Sequence, residues 1–210
     1  MNRRAFIGTS LLATGAIFAP GSLAAPSSRL LKSNPVLQPQ PQNAPPQLAN
    51  ALAALDKHAG RIAHRDRLGI ADYSAHSGEF RFHLVNVEQG AIERSLLVSH
   101  GRGSDPRNSG YAQHFSNRHG SNASSLGSYV TGKTYYGKHG HSRRLHGLDE
   151  SNDQAFSRAI VIHGASYVDS GMARDHGRVG RSLGCFAFEK REIESVLDWL
   201  GPDRLLFATD

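Results

Sequence analysis

The sequence holds one cysteine, one tryptophan and two methionines in 210 residues. A lone cysteine excludes an internal disulfide framework and any cysteine-rich zinc module. Acidic residues are missing from the start of the chain: none precedes Asp56, whereas Arg3, Arg4, Arg29 and Lys32 do. The hydrophobic fraction is low at 39%. No apolar run outside the N-terminus is long enough to span a membrane, which excludes a polytopic membrane protein.

The basic excess is largely N-terminal. Beyond the four cations before Asp56, 20 basic residues face 18 acidic ones. A nucleic-acid binder carries a basic cluster within its domain. The Arg143-Arg144 pair and Arg178 with Arg181 are the only candidates, and no RNP, zinc-finger or helix-turn-helix pattern accompanies them. Nucleic acid is therefore not an expected partner.

Residues 1–25 read as an export signal. Arg3-Arg4 form a charged region, Ala5 to Ala19 a mildly apolar one, and Ser22-Leu23-Ala24-Ala25 supplies small residues for cleavage. The run Asn2-Arg3-Arg4-Ala5-Phe6-Ile7-Gly8 resembles a twin-arginine signal; an ordinary secretory signal is the alternative. Cleavage would leave no stable membrane insertion and places the protein in the periplasm or cell envelope. Residues 26–47 contain six of the nine prolines, interleaved with Gln and Asn. Such a segment favours polyproline II or disorder and reads as a linker. The folded domain is then expected over 48–210.

Within that domain, Leu48, Ala51, Leu52, Leu55 and Ile62 predict a helix over about 47–65. Phe80, Phe82 and Leu84 alternate as in a strand, and Ile92 to Ser99 reads as its partner across Gln89-Gly90. Ala159 to Ile162 reads as a buried strand. Ile193, Val196, Leu197 and Leu200 share a helix face that Gly201-Pro202 ends, and Leu205 to Phe207 suggests a last strand. Trp199 is expected to pack against the core. Residues 100–157 are dense in Gly, Ser, Asn and His, which predicts loops and short strands. No βαβ alternation is evident. The expected class is mainly β (α+β) with an N-terminal and a C-terminal helix.

Chemistry centres on Cys185, in Gly180-Arg181-Ser182-Leu183-Gly184-Cys185. A thiol of ordinary pKa is only a few per cent thiolate at neutral pH, so a nucleophilic cysteine needs a base. His163 ends the run Ile160-Val161-Ile162 and precedes Gly164, which suits a base held on a rigid strand. Gly184 leaves room for backbone N–H groups to face an oxyanion. A lone cysteine is more often buried and inert, but a free thiol in an exported chain is a liability unless it is used. His139, His141 and His146 raise a metal alternative, although no H-E-x-x-H occurs. No metal and no cofactor is expected. Ser124, Ser125 and Tyr129 either line a cleft or cap turns.

Ile162-His163-Gly164-Ala165 followed by Gly180 to Cys185 resembles the signature of the YkuD-type L,D-transpeptidases. The stretch is similar to a divergent subfamily of murein L,D-transpeptidase catalytic domains. Matching runs include His100 to Ser104, Phe115-Ser116-Asn117, Ser124 to Tyr129, Tyr136-Gly137-Lys138-His139-Gly140 and Leu145-His146-Gly147-Leu148. The resemblance covers about residues 70–190. It implies a mainly-β catalytic fold and a peptidoglycan stem tetrapeptide as substrate. It also implies a Cys185 thioester with release of D-Ala, His163 as base and then acid, and Gly184 and Cys185 N–H groups as oxyanion donors. Ser182, Arg181, Arg178, Gly164, Tyr129, His139 and Arg144 are supporting candidates.

Two positions depart from the family pattern: Leu183 stands where many members have His, and Ala187 where Arg or Asn is common. Arg178, Arg181 or Arg144 would then have to take the substrate carboxylate. An L,D-carboxypeptidase or amidase on the same substrate is the first alternative. A non-catalytic peptidoglycan-binding module is the second.

Overall fold

Strand alternation builds two opposed faces. In β1 (Arg67–Asp72), Leu68 and Ile70 enter one apolar cluster while Ala71 enters another. In β8 (Leu205–Thr209), Leu205 joins the first cluster, and Leu206 and Ala208 join the second. The computed structural model describes residues 44–210. The export-signal reading and the linker up to residue 43 lie outside the described residues. Pro45 is buried, and Gln47 donates a 2.7 Å hydrogen bond to Asp72 Oδ2.

One eight-stranded sheet runs β3-β2-β1-β8-β4-β5-β6-β7. Its other strands are β2 (Phe82–Asn86), β3 (Ala91–Leu96), β4 (Gly127–Gly137), β5 (Gly140–Gly147), β6 (Val161–Ala165) and β7 (Phe186–Glu189). Helix α1 (Leu48–Lys57) contributes Leu48, Ala51, Ala54 and Leu55 to the smaller cluster. Helix α3 (Ile193–Leu200) contributes Ile193, Val196, Leu197 and Leu200 to the larger one, each of these large side chains worth roughly 1.5–3 kcal/mol on burial. Gly69 permits this packing: a Cβ there would lie 2.8 Å from Phe82 and 3.2 Å from Leu200. The expected mainly-β (α+β) class is observed, with a helix near each end of the domain. Trp199 packs on the larger cluster, with the Arg67 guanidinium 4.6 Å above its ring.

Three expectations need correction. The first helix stops at Lys57 rather than near 65, because Ala59-Gly60 gives way to turns, although Ile62 still buries. Residues 127–147 are not short strands but a long hairpin closed at Gly140, whose φ is +77°. Its exposed tip residues carry no apolar alternation, so its length leaves no periodic signal. A parallel crossover also exists: β6 and β7 pair in parallel across α2 (Ser170–His176). That helix buries no side chain, and only its caps mark it. Asp169 accepts from the Met172 N–H, and Gly177 closes the helix in the left-handed region.

Candidate active site

Cys185 is the last residue before β7, and His163 is the middle residue of β6. The parallel register sets Ile162 beside Phe186 and His163 beside Ala187. Ile162, Phe186 and Phe188 point into the core, so alternation sends His163 and Ala187 to the opposite face, while Cys185, one residue before β7, packs at the edge of that core. Cys185, at the entry to β7, and His163, on the neighbouring β6, both line one cavity of about 340 Å³.

His163 is 1% exposed, and its Nδ1 lies 3.0 Å from the Gly164 carbonyl oxygen. A carbonyl only accepts, so Nδ1 carries the proton and Nε2 keeps its lone pair. The Gly164 carbonyl thus orients the imidazole. The His139 ring, from the tip between β4 and β5, stacks on His163 with centroids 4.2 Å apart. Burial lowers the His163 pKa below 6.5; His139 and Lys138 push the same way, against the Gly164 carbonyl. The imidazole is therefore neutral at neutral pH.

The Cys185 thiol donates to the Ala159 carbonyl at 3.6 Å. Burial raises its pKa above 9.0, opposed by the Val161 backbone and by Arg158 and Lys138. The resting pair is a neutral thiol with a neutral imidazole. Such a thiol reacts only if a base removes its proton.

The nucleophile turn is tied at several points. The Ser182 N–H donates to the His100 carbonyl at 2.9 Å, and the Arg102 N–H to the Ser182 carbonyl at 2.8 Å. Ser182 Oγ donates to the Cys185 carbonyl at 2.8 Å and accepts from the Gly184 N–H at 3.1 Å. Ser182 thus closes the turn rather than bonding the thiol. Gly184 has φ +114°, and a Cβ there would lie 2.6 Å from the Ala123 carbonyl oxygen. Its N–H is committed to Ser182, which differs from the expectation of a free oxyanion donor.

Behind the turn lies a buried polar chain. The Arg81 guanidinium, 1% exposed, donates to the carbonyls of Val98 and Ala75 and to His100 Nδ1 at 2.8 Å. His100 Nε2 faces Asp105 Oδ2 at 3.4 Å, and Asp105 accepts from the N–H groups of Ser109 and Gly110. With Nδ1 accepting, His100 is neutral, and burial pushes its pKa down to about 4.

The supporting candidates separate. Arg181 lines the thiol cavity and donates to the Asp105 carbonyl. His139 lines it too, whereas Gly164 lines the neighbouring pocket. Arg178 lies in a different pocket beside Met172 and His176. Tyr129 is buried, its hydroxyl bonded to Ser125 and its ring edge-on to Phe186, so it supports the core rather than a cleft. The Arg144 guanidinium sits 4.2 Å over the Tyr135 ring, just outside the cavity. The three histidines of the metal alternative disperse: His139 to His163, His141 to Glu194 at 2.8 Å, and His146 onto the Phe156 ring. Among the described residues, no group of three or more His, Cys, Asp or Glu is placed to hold a metal.

Leu183 is 54% exposed at the cavity mouth. Ala187 is fully buried among Leu97, Ala165, Val168 and Val179, which leaves no space for a longer polar side chain. Sequence reasoning missed Arg158, Tyr167 and Tyr135, all of which line the thiol cavity. Arg158 donates to the Ser116 carbonyl at 2.7 Å and the Ala123 carbonyl at 2.6 Å. Its only signal was its place just before the apolar run.

Among the described residues, no helix is long and apolar enough to cross a membrane. No curated protein matches the sequence. Solved structures are similar at low identity. An L,D-transpeptidase from Mycobacterium smegmatis is 14% identical with a TM-score of 0.42, covering 69% of this chain and 59% of that one. One from Xylanimonas cellulosilytica is 17% identical with a TM-score of 0.40, covering 75% and 68%. The chain spans about six-tenths of the length of the mycobacterial structure. The model of the L,D-transpeptidase catalytic domain family matches residues 40–209, which is most of the chain, and the protein belongs to that family.

Proposed function

We propose that the protein is a cell-envelope L,D-transpeptidase in which Cys185 is the nucleophile and His163 the base. The observation that carries this reading is their convergence on one cavity, with His163 Nδ1 fixed by the Gly164 carbonyl. The substrate is a peptidoglycan stem tetrapeptide. The thiol turns from the Ala159 carbonyl toward His163 Nε2, which takes its proton. The thiolate attacks the carbonyl of the third residue, and the amide to D-Ala breaks. His163 returns the proton to the departing D-Ala amine, leaving a thioester on Cys185. The amine of a second stem then attacks the thioester, loses its proton to His163 and releases the thiolate. The chain reaches this substrate through export directed by residues 1–25 and a tether that ends before the packed residues Pro45 and Gln47.

The oxyanion falls to the Cys185 N–H, joined by Gly184 if Ser182 Oγ releases it on substrate binding. Arg158 and Lys138, the cations nearest the thiol, favour the negative sulfur and the charge that follows. Arg181 is the cation of the cavity suited to the substrate carboxylate.

The test is incubation of the protein with purified disaccharide-tetrapeptide and mass analysis of products, with Cys185→Ala alongside. A crosslinked dimer lacking one D-Ala, absent with the variant, is expected. Tripeptide alone would mean that water is the acceptor and make the protein a carboxypeptidase. Unchanged substrate with both proteins, and no acylation of Cys185 by a carbapenem, would overturn the catalytic reading.

A further inference from the structure

The nucleophile turn and β7 are held on two flanks. On one flank is β6, which carries His163. On the other runs the segment from Val98 to Gly103. The Ser99 N–H donates to the Ala187 carbonyl of β7 at 3.0 Å, the Ser182 N–H to the His100 carbonyl at 2.9 Å, and the Arg102 N–H to the Ser182 carbonyl at 2.8 Å. Gly101 and Ser182 pair in parallel. A Cβ at Gly101 would lie 2.3 Å from the Asn122 carbonyl oxygen, so this segment is itself pressed against residues 122–124. Where residues 98–102 lie therefore sets where the turn before Cys185 lies.

A row of buried groups fixes that segment. Arg81, His100 and Asp105 are each 1% exposed. The Arg81 guanidinium donates twice to the Val98 carbonyl, at 3.0 and 3.2 Å, and once to His100 Nδ1 at 2.8 Å, and it lies 5.1 Å from the centre of the Tyr73 ring. His100 Nε2 faces Asp105 Oδ2 at 3.4 Å. The Asp105 carbonyl in turn accepts from Arg181, the residue before Ser182 and a lining residue of the thiol cavity. Burying a cation and an anion costs several kcal/mol for each, and well-packed apolar residues of similar volume often do as well for stability. Stability alone thus gives little reason for this row. What it does reach is the nucleophile turn, through the His100 carbonyl at Ser182 and the Asp105 carbonyl at Arg181.

We infer that His100 is a positioning residue for the proposed reaction: its imidazole, held between Arg81 and Asp105, fixes the carbonyl that takes the Ser182 N–H and so sets where the Cys185 thiol lies relative to His163. This role rests on the proposed thioester chemistry. His100 does not line the thiol cavity, so it acts through the turn and not on the substrate. One tautomer serves both neighbours, with Nδ1 accepting from Arg81 and the Nε2–H directed at Asp105. An imidazolium would set a donor against the Arg81 donor. Burial first, and then the Arg81 charge, keep His100 neutral with a pKa of about 4; Arg181 pushes the same way and Asp105 opposes. A misplacement on the order of 1 Å at a reacting centre can cost about a hundredfold in rate. Slack in the residue-100 carbonyl should therefore appear in the rate of acylation before it appears in binding.

The test compares His100→Leu, His100→Gln and Leu55→Ala. The first fills the space but bonds neither neighbour; the second can accept from Arg81 and donate to Asp105. Leu55, on α1, lies in the smaller cluster, so its truncation lowers stability without touching the turn. Acylation of Cys185 by a carbapenem is resolved into the dissociation constant of the first complex and the maximal acylation rate, at a temperature where circular dichroism shows each protein folded. We expect His100→Leu to lower the maximal rate about tenfold or more with the dissociation constant within about threefold, and His100→Gln to return the rate to within about threefold of the parent. Leu55→Ala should leave both within about twofold. An unchanged rate in folded His100→Leu, equal rate losses in His100→Leu and Leu55→Ala, or a His100→Gln no better than His100→Leu overturns the assignment. If His100→Leu does not fold, short pH jumps on the parent and His100→Gln decide. Below roughly pH 5 the parent, with two imidazoles that must be neutral, should lose rate more steeply than the variant, which has one. Parallel limbs overturn the assignment as well. Absence of acylation in the unaltered protein is a different failure, which removes the catalytic reading and the positioning role with it.

Discussion

The imidazoles of His139 and His163 stack face to face, 4.2 Å between centroids, so a hairpin tip packs onto the proposed base. His163 is buried while His139 is exposed on its outer side. Burial is the main cause that holds the His163 pKa below 6.5. Carbapenem acylation should therefore rise with pH through a limb below 6.5 and stay level across neutrality. His139→Ala opens His163 to water and removes a neighbouring positive charge, so the limb should move up toward 6.5. His139→Phe keeps the ring and should keep the limb low. A limb unmoved by His139→Ala would show that the stack does not tune the base.

His100 links the nucleophile turn to acid stability. Its folded pKa near 4 lies below the ordinary 6.5, so the unfolded chain takes up the proton first. Stability is then full above 6.5 and is lost as pH falls toward 4, by about 3 kcal/mol. Gln can accept from Arg81 and donate to Asp105 without titrating. His100→Gln should therefore lose less Tm between roughly pH 7 and roughly pH 5 than the parent does. Equal losses in thermal melts at the two pH values would place the acid sensitivity elsewhere.

Ala187→Arg would restore the residue type common two positions after the nucleophile. The side chain would enter a closed apolar cluster, so a loss of about 3 kcal/mol or more is expected in urea unfolding. Unchanged stability with tighter tetrapeptide binding would mean that this cluster opens to the cavity.

Gly184→Ala tests the turn. The left-handed φ of +114° and the approach to the Ala123 carbonyl both oppose a methyl group. Acylation should fall about tenfold or more, because the Cys185 backbone must shift. The thermal midpoint should drop as well. An unaffected acylation rate would remove this turn geometry from the mechanism.

Arg81→Met leaves the Val98 and Ala75 carbonyls and His100 Nδ1 without their donor. The cost should be about 3 kcal/mol in urea unfolding. A near-neutral result would mean that water replaces the guanidinium.

Legibility in the sequence followed periodicity. Helix α3 and strand β8 show plain apolar patterns, and both form where expected. Strand β6 begins two residues into the apolar run, because Ala159 turns the chain at φ +56° and offers its carbonyl to the thiol. The hairpin of β4 and β5 was hidden because its tip is exposed on both faces. Helix α2 was hidden because it buries nothing.

The sequence by itself determined the chemistry on offer: a single thiol, a histidine ending an apolar strand, and a glycine before the nucleophile. These are properties of residue type and local order, and they survive any folding. Tertiary structure decided which groups meet. Parallel pairing of β6 with β7 brings the entry to β7, with Cys185, and His163 to one cavity. Long-range packing puts Arg158 and Lys138 at the thiol cavity, buries Tyr129 and Ala187, and sets Arg144 over the Tyr135 ring. Those outcomes depend on register and on partners far along the chain, to which local periodicity is blind.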